Sequence, residues 1–204
     1  MILKKQNLKI ATILPYKENY TSDKASAASL WVAEFYKKSK FKKNIYIYGH
    51  TKSKKYLSKN YVNIHLKSLK SKFTSTTNEY IKKLTKEILN KKFDLIEIHN
   101  RPLILIGLSN KIDKKFIFYF HNDPLSMKGS KSIKERLLIL SKVEKLIFVS
   151  EWTRNRFFTD LDKKLITKTE IIYPSVNKQK IKNKKKIIIY FWKLNYSKGY
   201  DLFE

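Results

Sequence analysis

Two histidines in the sequence stand in similar short motifs, His99-Asn-Arg-Pro and His121-Asn-Asp-Pro. Each motif follows an apolar run that predicts a β-strand, and ligands of open parallel sheets bind beyond the carboxyl ends of the strands. An imidazole at that edge can accept or donate a proton near neutral pH. The alternative is a pair of loop histidines hydrogen-bonded to nearby backbone. A zinc pair is disfavoured, because the spacing fits no His-x-x-x-His helix pattern and no third ligand follows at a fixed spacing.

Further polar side chains follow predicted strands, and we expect them to border the same cleft as the two histidines. They are Thr21, Asp23, Lys24, Arg101, Asn122, Asp123 and Ser150. Ser150 is most simply the N-cap of the next helix, although the free N–H groups of a helix start can also hold an anion.

Short apolar strands alternate with longer segments of helical periodicity, which is typical of βαβ units. The sequence therefore predicts an α/β fold, with a Rossmann-like, mostly parallel sheet flanked by helices. Strands are predicted at 8–14, 44–48, 61–66, 93–98, 116–120, 145–149 and 170–173. Helices are predicted at 23–39, 76–90, from Pro102 onward, at 133–140 and from Ser150 to Phe158, with Asp23 as the N-cap of the first. The helical aromatics Trp31, Phe35, Trp152 and Phe157 are expected in the core.

The formal charge of +28 raises the alternative of a non-catalytic basic α/β module that binds nucleic acid or an anionic membrane. Only four of the 45 cationic residues are arginines, and the lysines are spread along the whole chain. Because arginine is the usual residue for bidentate phosphate contacts, this pattern favours a compositional bias over a designed nucleic-acid surface. No specific nucleic-acid partner is predicted.

Several common classes of protein lack support in the sequence. There is no Gly-x-Gly-x-x-Gly or Walker loop, which disfavours an ordinary dinucleotide enzyme or an NTPase, and there is no nucleophile elbow. The absence of cysteine excludes disulfides and thiolate metal sites. Apolar runs such as 103–108 are too short for a membrane-spanning helix, so we expect a cytoplasmic protein, in possible contact with the inner face of the membrane.

The end of the sequence has the pattern of a strand, a polar turn and a helix start, over residues 187–204. A lysine-rich linker precedes it at 178–186. We therefore expect a first domain at 1–177 and the beginning of a second domain at 187–204, which would be truncated.

Six motifs follow one another along the chain. They are the strand and polar loop from Ile10, Asp94-Leu-Ile-Glu-Ile-His99, Phe120-His-Asn-Asp123, Ile147-Phe-Val-Ser-Glu-Trp-Thr-Arg-Asn-Arg-Phe-Phe158, Ile171-Ile-Tyr-Pro-Ser-Val-Asn177 and Lys198-Gly199. In content and order these motifs resemble the family 4 type of GT-B glycosyltransferases, and the resemblance covers nearly the whole chain. The resemblance implies that residues 1–177 form the acceptor-side half of the enzyme and that residues 187–204 begin the donor-binding half.

The resemblance also implies roles for individual residues. Lys193 and Lys198 would neutralise the diphosphate of a nucleotide-sugar donor, and His121 would be the catalytic residue that faces the acceptor and the transferred sugar. The loop of Thr21, Asp23 and Lys24 would border the same cleft. No metal and no cofactor is predicted, since the nucleotide sugar is a co-substrate. The acceptor would be a glycan or a lipid-linked molecule of cell-surface polysaccharide or lipopolysaccharide synthesis, and the chain alone would be inactive.

Overall fold

The computed structural model describes residues 8–66 and 75–174, which form an α/β fold. The predicted linker at 178–186 and the predicted second-domain start at 187–204 lie outside the described residues. The strands are β1 Ile10–Ile13, β2 Ile45–Gly49, β3 Tyr61–Asn63, β4 Leu95–His99, β5 Lys115–Phe120, β6 Lys145–Phe148 and β7 Thr169–Ile171. The α-helices are α1 Ala27–Lys38, α2 Thr76–Leu89, α3 Pro102–Ser109, α4 Ile133–Lys142 and α5 Glu151–Phe157. Short 3-10 helices lie at Lys42–Asn44, Pro124–Ser126 and Lys163–Lys168.

The strands form one sheet with the order β3-β2-β1-β4-β5-β6-β7, and the neighbouring strands are paired in parallel. The chain first winds outward from β1 to β3, then crosses back to β4 and winds in the other direction. Strand order therefore reverses between β1 and β4, where Ile13 pairs with Ile98. Such a reversal opens a crevice at the carboxyl ends of the strands. The predicted Rossmann-like sheet is confirmed.

Two hydrophobic cores lie on opposite faces of the sheet. Strand side chains alternate between the faces, so that Ala11 and Ile13 point into one core while Ile10 packs in the other. The larger core holds buried apolar residues from α2, α3, α4 and α5. The smaller core holds Val32 and Ala33 of α1. Among the described helices, α1 is thus the one that packs on the second face.

Serine N-caps define where four of the helices begin. The side chains of Ser26, Ser75, Ser132 and Ser150 each accept a hydrogen bond from the backbone N–H three residues later. The predicted N-cap role of Ser150 is confirmed. The prediction that Asp23 caps the first helix was wrong, because α1 begins at Ala27 after the extended residue Ser26. Pro102 opens α3 as predicted, at a position where no intrahelical N–H is needed.

The helical aromatics are less buried than the sequence predicts. Phe157 is fully buried, but Trp152 is 59% exposed and Phe35 is 39% exposed. Helix α5 turns Phe157 toward the sheet, while Trp152 lies on its outer side beneath the guanidinium of Arg156. Trp152 is therefore a surface residue, and the prediction that it belongs to the core was wrong.

Candidate functional site

Two groups of polar residues lie at the carboxyl ends of the strands, and their surroundings differ. The first lines an open cleft of about 490 Å³ after β1 and β2, which we call the lysine cleft. Its lining residues are Tyr16, Lys17, Asn19, Thr21, Asp23, Lys24, His50, Thr51, Lys52 and Ser53. The second group, which we call the histidine cluster, lies at the ends of β4 and β5. It consists of His99, Asn100, Tyr119 and His121, together with Trp31 of α1, which packs against both histidines.

Hydrogen bonds hold together the two loops that form the lysine cleft. Thr21 is buried and forms an isolated antiparallel bridge with Tyr56. The backbone N–H of Thr51 donates to Asn63 Oδ1 at 2.9 Å, and the Asn63 amide returns a bond to the Thr51 carbonyl at 2.9 Å. Thr51 Oγ1 also donates to Asn19 Oδ1 at 3.3 Å. The bridge to Tyr56 and the bond to Asn19 join the two loops, and the bonds to Asn63 hold the second loop to the end of β3.

The charge of the lysine cleft is predominantly positive. Lys17, Lys24 and Lys52 line it, against the single carboxylate of Asp23. A hydrogen bond from the Thr21 side chain lowers the pKa of Asp23, with smaller effects from the Asp23 backbone and from nearby lysines. Asp23 is therefore ionised at neutral pH, and the three ammonium groups outnumber it. The cleft suits an anionic ligand that also carries hydroxyl groups.

The structure brings together the three predicted residues of the first loop, Thr21, Asp23 and Lys24, in this cleft. Sequence reasoning missed the residues that follow β2, which are His50, Thr51, Lys52 and Ser53. A signal for them was present, because the second strand was predicted to end at residue 48 and the residues after Gly49 are polar. The strand-end rule applied to β2 would have found them.

The two histidines are in direct contact. His99 is the last residue of β4 and is 1% exposed, and its Nδ1 lies 2.8 Å from Nε2 of the half-buried His121. The His99 ring stacks on Tyr119 at 4.4 Å between ring centroids, and Trp31 packs edge-on against both histidines. The sequence placed His99 in a loop, whereas the strand continues through it.

Burial lowers the pKa of both imidazoles, because a charged ring is poorly solvated there. The pKa of His121 falls to about 4, and the pKa of His99 is held well below its ordinary value by burial and by the nearby His121. Both rings are therefore neutral near pH 7. One of the two facing nitrogens must donate, so the position of the proton on one ring decides its position on the other.

The backbone after β4 adopts a left-handed conformation that places the Asn100 side chain next to His121. Asn100 and Arg101 both have positive φ, at 52° and 58°. The Asn100 side chain accepts a hydrogen bond from the His121 backbone N–H at 2.9 Å, and the Asn100 backbone N–H donates to the Tyr119 carbonyl at 2.8 Å. Asparagine tolerates this left-handed conformation better than most residues. Asn100 thus connects the ends of β4 and β5.

The other predicted site residues are held apart from these two groups or engaged locally. Asp123 caps a 3-10 helix by accepting from the Leu125 N–H and pairs with Arg156 at 3.3 Å. Ser150 caps α5, while Arg101 and Asn122 are exposed. Lys193 and Lys198 lie outside the described residues. The cleft position predicted for Arg101, Asn122, Asp123 and Ser150, and the diphosphate contact implied for Lys193 and Lys198, stay predictions.

Within residues 8–66 and 75–174, no group of three His, Asp or Glu side chains is placed to hold a metal ion. No helix in these two ranges is both long and apolar enough to cross a membrane.

Comparisons with known proteins identify the fold. No protein-family model and no curated protein matches the chain. A glycosyltransferase from Rickettsia africae ESF-5 superposes on 84% of this chain and 44% of its own length, at 16% identity and a TM-score of 0.57. A sucrose-phosphate synthase from Thermosynechococcus elongatus superposes on 84% of this chain and 49% of its own length, at 12% identity and a TM-score of 0.54.

The chain has a fold that glycosyltransferases use. It spans less than half the length of both of these structures. At such low identity the likeness concerns the path of the backbone, and the chemistry has to be argued from this chain's own residues.

Proposed function

We propose that the chain forms the acceptor-side half of a GT-B glycosyltransferase of the family 4 type. The reaction would transfer a sugar from a nucleotide-sugar donor to a glycan or lipid-linked acceptor. The observation that carries this proposal is the lysine cleft, which opens at the carboxyl ends of β1 and β2 in a fold shared with a glycosyltransferase. Ligands of doubly wound sheets bind at that edge.

The lining of the cleft favours an acceptor that carries both hydroxyl groups and a phosphate or carboxylate. Asn19, Thr21 and Thr51 offer hydrogen-bonding groups suited to sugar hydroxyls, and the surrounding lysines attract an anion. A volume of about 490 Å³ lies within the range of small-molecule sites. These features fit a precursor of cell-surface polysaccharide or lipopolysaccharide, and a lipid-linked one would bring the protein to the inner face of the membrane.

His121 would act from the end of β5, which lies two strands from β1 in the sheet. Its Nε2 contacts His99, so the ring nitrogen left for a substrate is Nδ1. A neutral imidazole can hydrogen-bond a sugar hydroxyl or accept its proton, and the low pKa keeps His121 in this form at neutral pH. Lys193 and Lys198 would neutralise the donor diphosphate, with no metal ion and no cofactor required.

The proposal is tested by measuring acceptor binding to the whole 204-residue chain, followed by its amide chemical shifts. Glucose 1-phosphate should shift the signals of residues 16–24 and 50–53 in a saturable way, methyl glucoside should shift them less, and inorganic phosphate should reproduce part of the effect. The double variant Lys24→Ala/Lys52→Ala should weaken glucose 1-phosphate binding by about tenfold, since two charge-assisted contacts are lost. Lys163→Ala, an exposed lysine of a distant 3-10 helix, is the matched control.

Binding titrations with duplex and single-stranded oligonucleotides distinguish the glycosyltransferase proposal from the alternative of a basic nucleic-acid-binding module. We expect indiscriminate binding that weakens steeply between about 50 and 200 mM salt, as for non-specific phosphate contacts. Tight binding of one sequence at the higher salt, with no sugar phosphate binding to the lysine cleft, would replace the glycosyltransferase proposal by the nucleic-acid module.

A further inference from the structure

A second cavity lies on the α1 face of the sheet and is built differently from the lysine cleft. It measures about 250 Å³ and runs beside α1, across β1, β4 and β5. We call it the aromatic groove, and the lining residues used below are Thr12, Trp31, Phe35, Glu97, His99 and Tyr119. It shares no lining residue with the lysine cleft. No role in the proposed glycosyl transfer is assigned to it.

Two buried nitrogen atoms at the aromatic groove have no hydrogen-bond partner among the described residues. They are Nε2 of His99 and Nε1 of Trp31. His99 is 1% exposed, so its Nε2 cannot be satisfied by bulk solvent. A buried polar atom without a partner is costly and rare in folded proteins, and a bound molecule is one of the things that relieves it. Both atoms belong to residues that line the same cavity.

A carboxyl group completes the polar part of the groove. Thr12 Oγ1 donates to Glu97 Oε2 at 2.9 Å, and the Tyr119 hydroxyl lies 3.4 Å from Glu97 Oε1. Burial raises the pKa of Glu97, and the bonds from Thr12 and Tyr119 counteract it. Each carboxyl oxygen has capacity for a further hydrogen bond, because an oxygen of this type has two acceptor sites. The residues that line the groove thus carry ring nitrogen atoms and a carboxyl group, among aromatic and aliphatic side chains.

We propose that the aromatic groove binds a small molecule made of one aromatic ring with a hydroxyl group. The ring would pack among Trp31, Phe35 and Tyr119. A hydroxyl group can accept from a ring N–H and donate to a carboxylate, and Trp31, His99 and Glu97, which carry such groups, all line the groove. The volume suits a single substituted ring, since a cavity of about 150 Å³ in another protein holds benzene. This proposal stands on the groove's own geometry and does not depend on the proposed glycosyl transfer.

Binding in the groove would also set the proton positions on the two histidines. An oxygen that accepts from His99 Nε2–H keeps the proton on Nε2 and leaves Nδ1 as an acceptor. His121 must then donate through its Nε2, because these two nitrogens face each other at 2.8 Å. The His121 Nδ1 would consequently carry a free lone pair. A ligand on one side of the cluster therefore fixes the form of the imidazole on the other side.

Phenol and toluene are the probes that test this proposal on the whole chain. Phenol should shift the Trp31 indole signal and the imidazole nitrogen signals of His99 and His121 in a saturable way, with half-saturation in the millimolar range expected for so small a ligand. Toluene, which has the ring but no hydroxyl, should bind at least about fivefold more weakly, the equivalent of one hydrogen bond. The nitrogen shifts should show the protons at Nε2 of both rings.

Variants make the outcome decisive. Trp31→Phe keeps an aromatic wall but removes Nε1–H, and Glu97→Gln removes the carboxylate; each should weaken phenol binding by about fivefold while the circular dichroism spectrum is retained. Trp152→Phe is the matched control, because Trp152 is an exposed tryptophan outside the groove. Equal affinity for phenol and toluene, no saturable shift up to about 20 mM phenol, or equal binding by all three variants would overturn the proposal.

Discussion

The two strand-end regions look alike in sequence and differ in the structure. Polar residues follow β1 and β2 as they follow β4 and β5, yet the lysine cleft is open and charged while the histidine cluster is largely closed and neutral. The difference lies in α1. Its Trp31 packs against His99, Tyr119 and His121, whereas the loops after β1 and β2 stay open around a cleft.

This contrast separates residues whose loss should damage the fold from residues whose loss should damage binding. A buried imidazole that stacks on a neighbouring ring contributes to stability as well as to chemistry. An exposed lysine at a cleft contributes chiefly to the local electric potential. Substitutions in the two regions should therefore differ both in size and in the property that they change.

Among single substitutions, the largest effect is expected for His99→Ala. The change removes the stacking on Tyr119 and the contact with His121, and it leaves a cavity where a residue was 1% exposed. We expect the free energy of unfolding to fall by about 3 kcal/mol, the range of large-to-small core substitutions. Urea denaturation measures it, with the exposed His65→Ala as the matched control. A loss under about 1 kcal/mol would show that the histidine cluster is no more structural than the lysine cleft.

Acidification should destabilise the protein through the same cluster. The folded-state pKa values of His99 and His121 lie below the ordinary value of 6.5, with that of His121 at about 4, so the unfolded chain takes up protons first. The stability that the two neutral histidines contribute is fully present above about pH 6.5. It is lost as the pH falls toward 4, by up to about 1.4 kcal/mol of unfolding free energy per pH unit for each ring. The raised pKa of Glu97 acts with the opposite sign and offsets part of this loss.

The slope of unfolding free energy against pH tests this assignment. His121→Gln should flatten the slope between about pH 4 and 6.5, because one of the titrating rings is gone. His65→Gln, at an exposed site, should leave the slope as it is in the unchanged chain. The same slope in all three proteins would mean that the closed environment of the histidine cluster does not control its protonation.

Smaller effects, of opposite sign to each other, are expected from two glycine substitutions in the turn after β4. Arg101 is exposed and has φ of 58°, so Arg101→Gly relieves backbone strain and should raise stability by up to about 1 kcal/mol. Asn100→Gly also suits a positive φ, but it removes the hydrogen bond to the His121 N–H and should lower stability by about 1 kcal/mol. Thermal unfolding of the two glycine variants compares them directly. Equal shifts would show that the Asn100 side chain does not hold the two strand ends together.

Much of the fold could be predicted because periodicity reports burial. The apolar stripe of α2 and the runs of β5 and β6 are local signals, and the structure has these elements within about two residues of their predicted ends. Boundaries failed where a competing local signal existed. Asp23 is a good capping residue by type, but Ser26 accepts the hydrogen bond and Asp23 bonds within its own loop.

The site was harder to predict because its character depends on non-local packing. Nothing near His99 in the sequence shows that Trp31, 68 positions earlier, would cover it. The Asp123–Arg156 pair and the Thr12–Glu97 bond likewise join distant parts of the chain. Strand-end position could be read from the sequence. Whether each strand end is open or closed could not.

The smallest effect on stability is expected in the lysine cleft, from Lys24→Ala and Lys52→Ala. Both lysines are exposed, so each change should alter the free energy of unfolding by less than about 0.5 kcal/mol. Each should nevertheless weaken binding of inorganic pyrophosphate by severalfold. Only two of the three cleft lysines would then remain to attract the anion, against the unchanged negative charge of Asp23. Calorimetric titration measures this at low salt, and higher salt should reduce the difference between the variants and the unchanged chain.

Lys163→Ala carries the same change of charge at a distance from the cleft, so it distinguishes a local effect from a decrease in the total charge of +28. If Lys163→Ala weakens pyrophosphate binding as much as Lys24→Ala, the anion is attracted by the whole surface and the lysine cleft is not a site. If the cleft variants instead lose stability on the scale of His99→Ala, the cleft lysines are structural. Either result would contradict the interpretation of the lysine cleft as an open binding region that differs from the closed, structural histidine cluster.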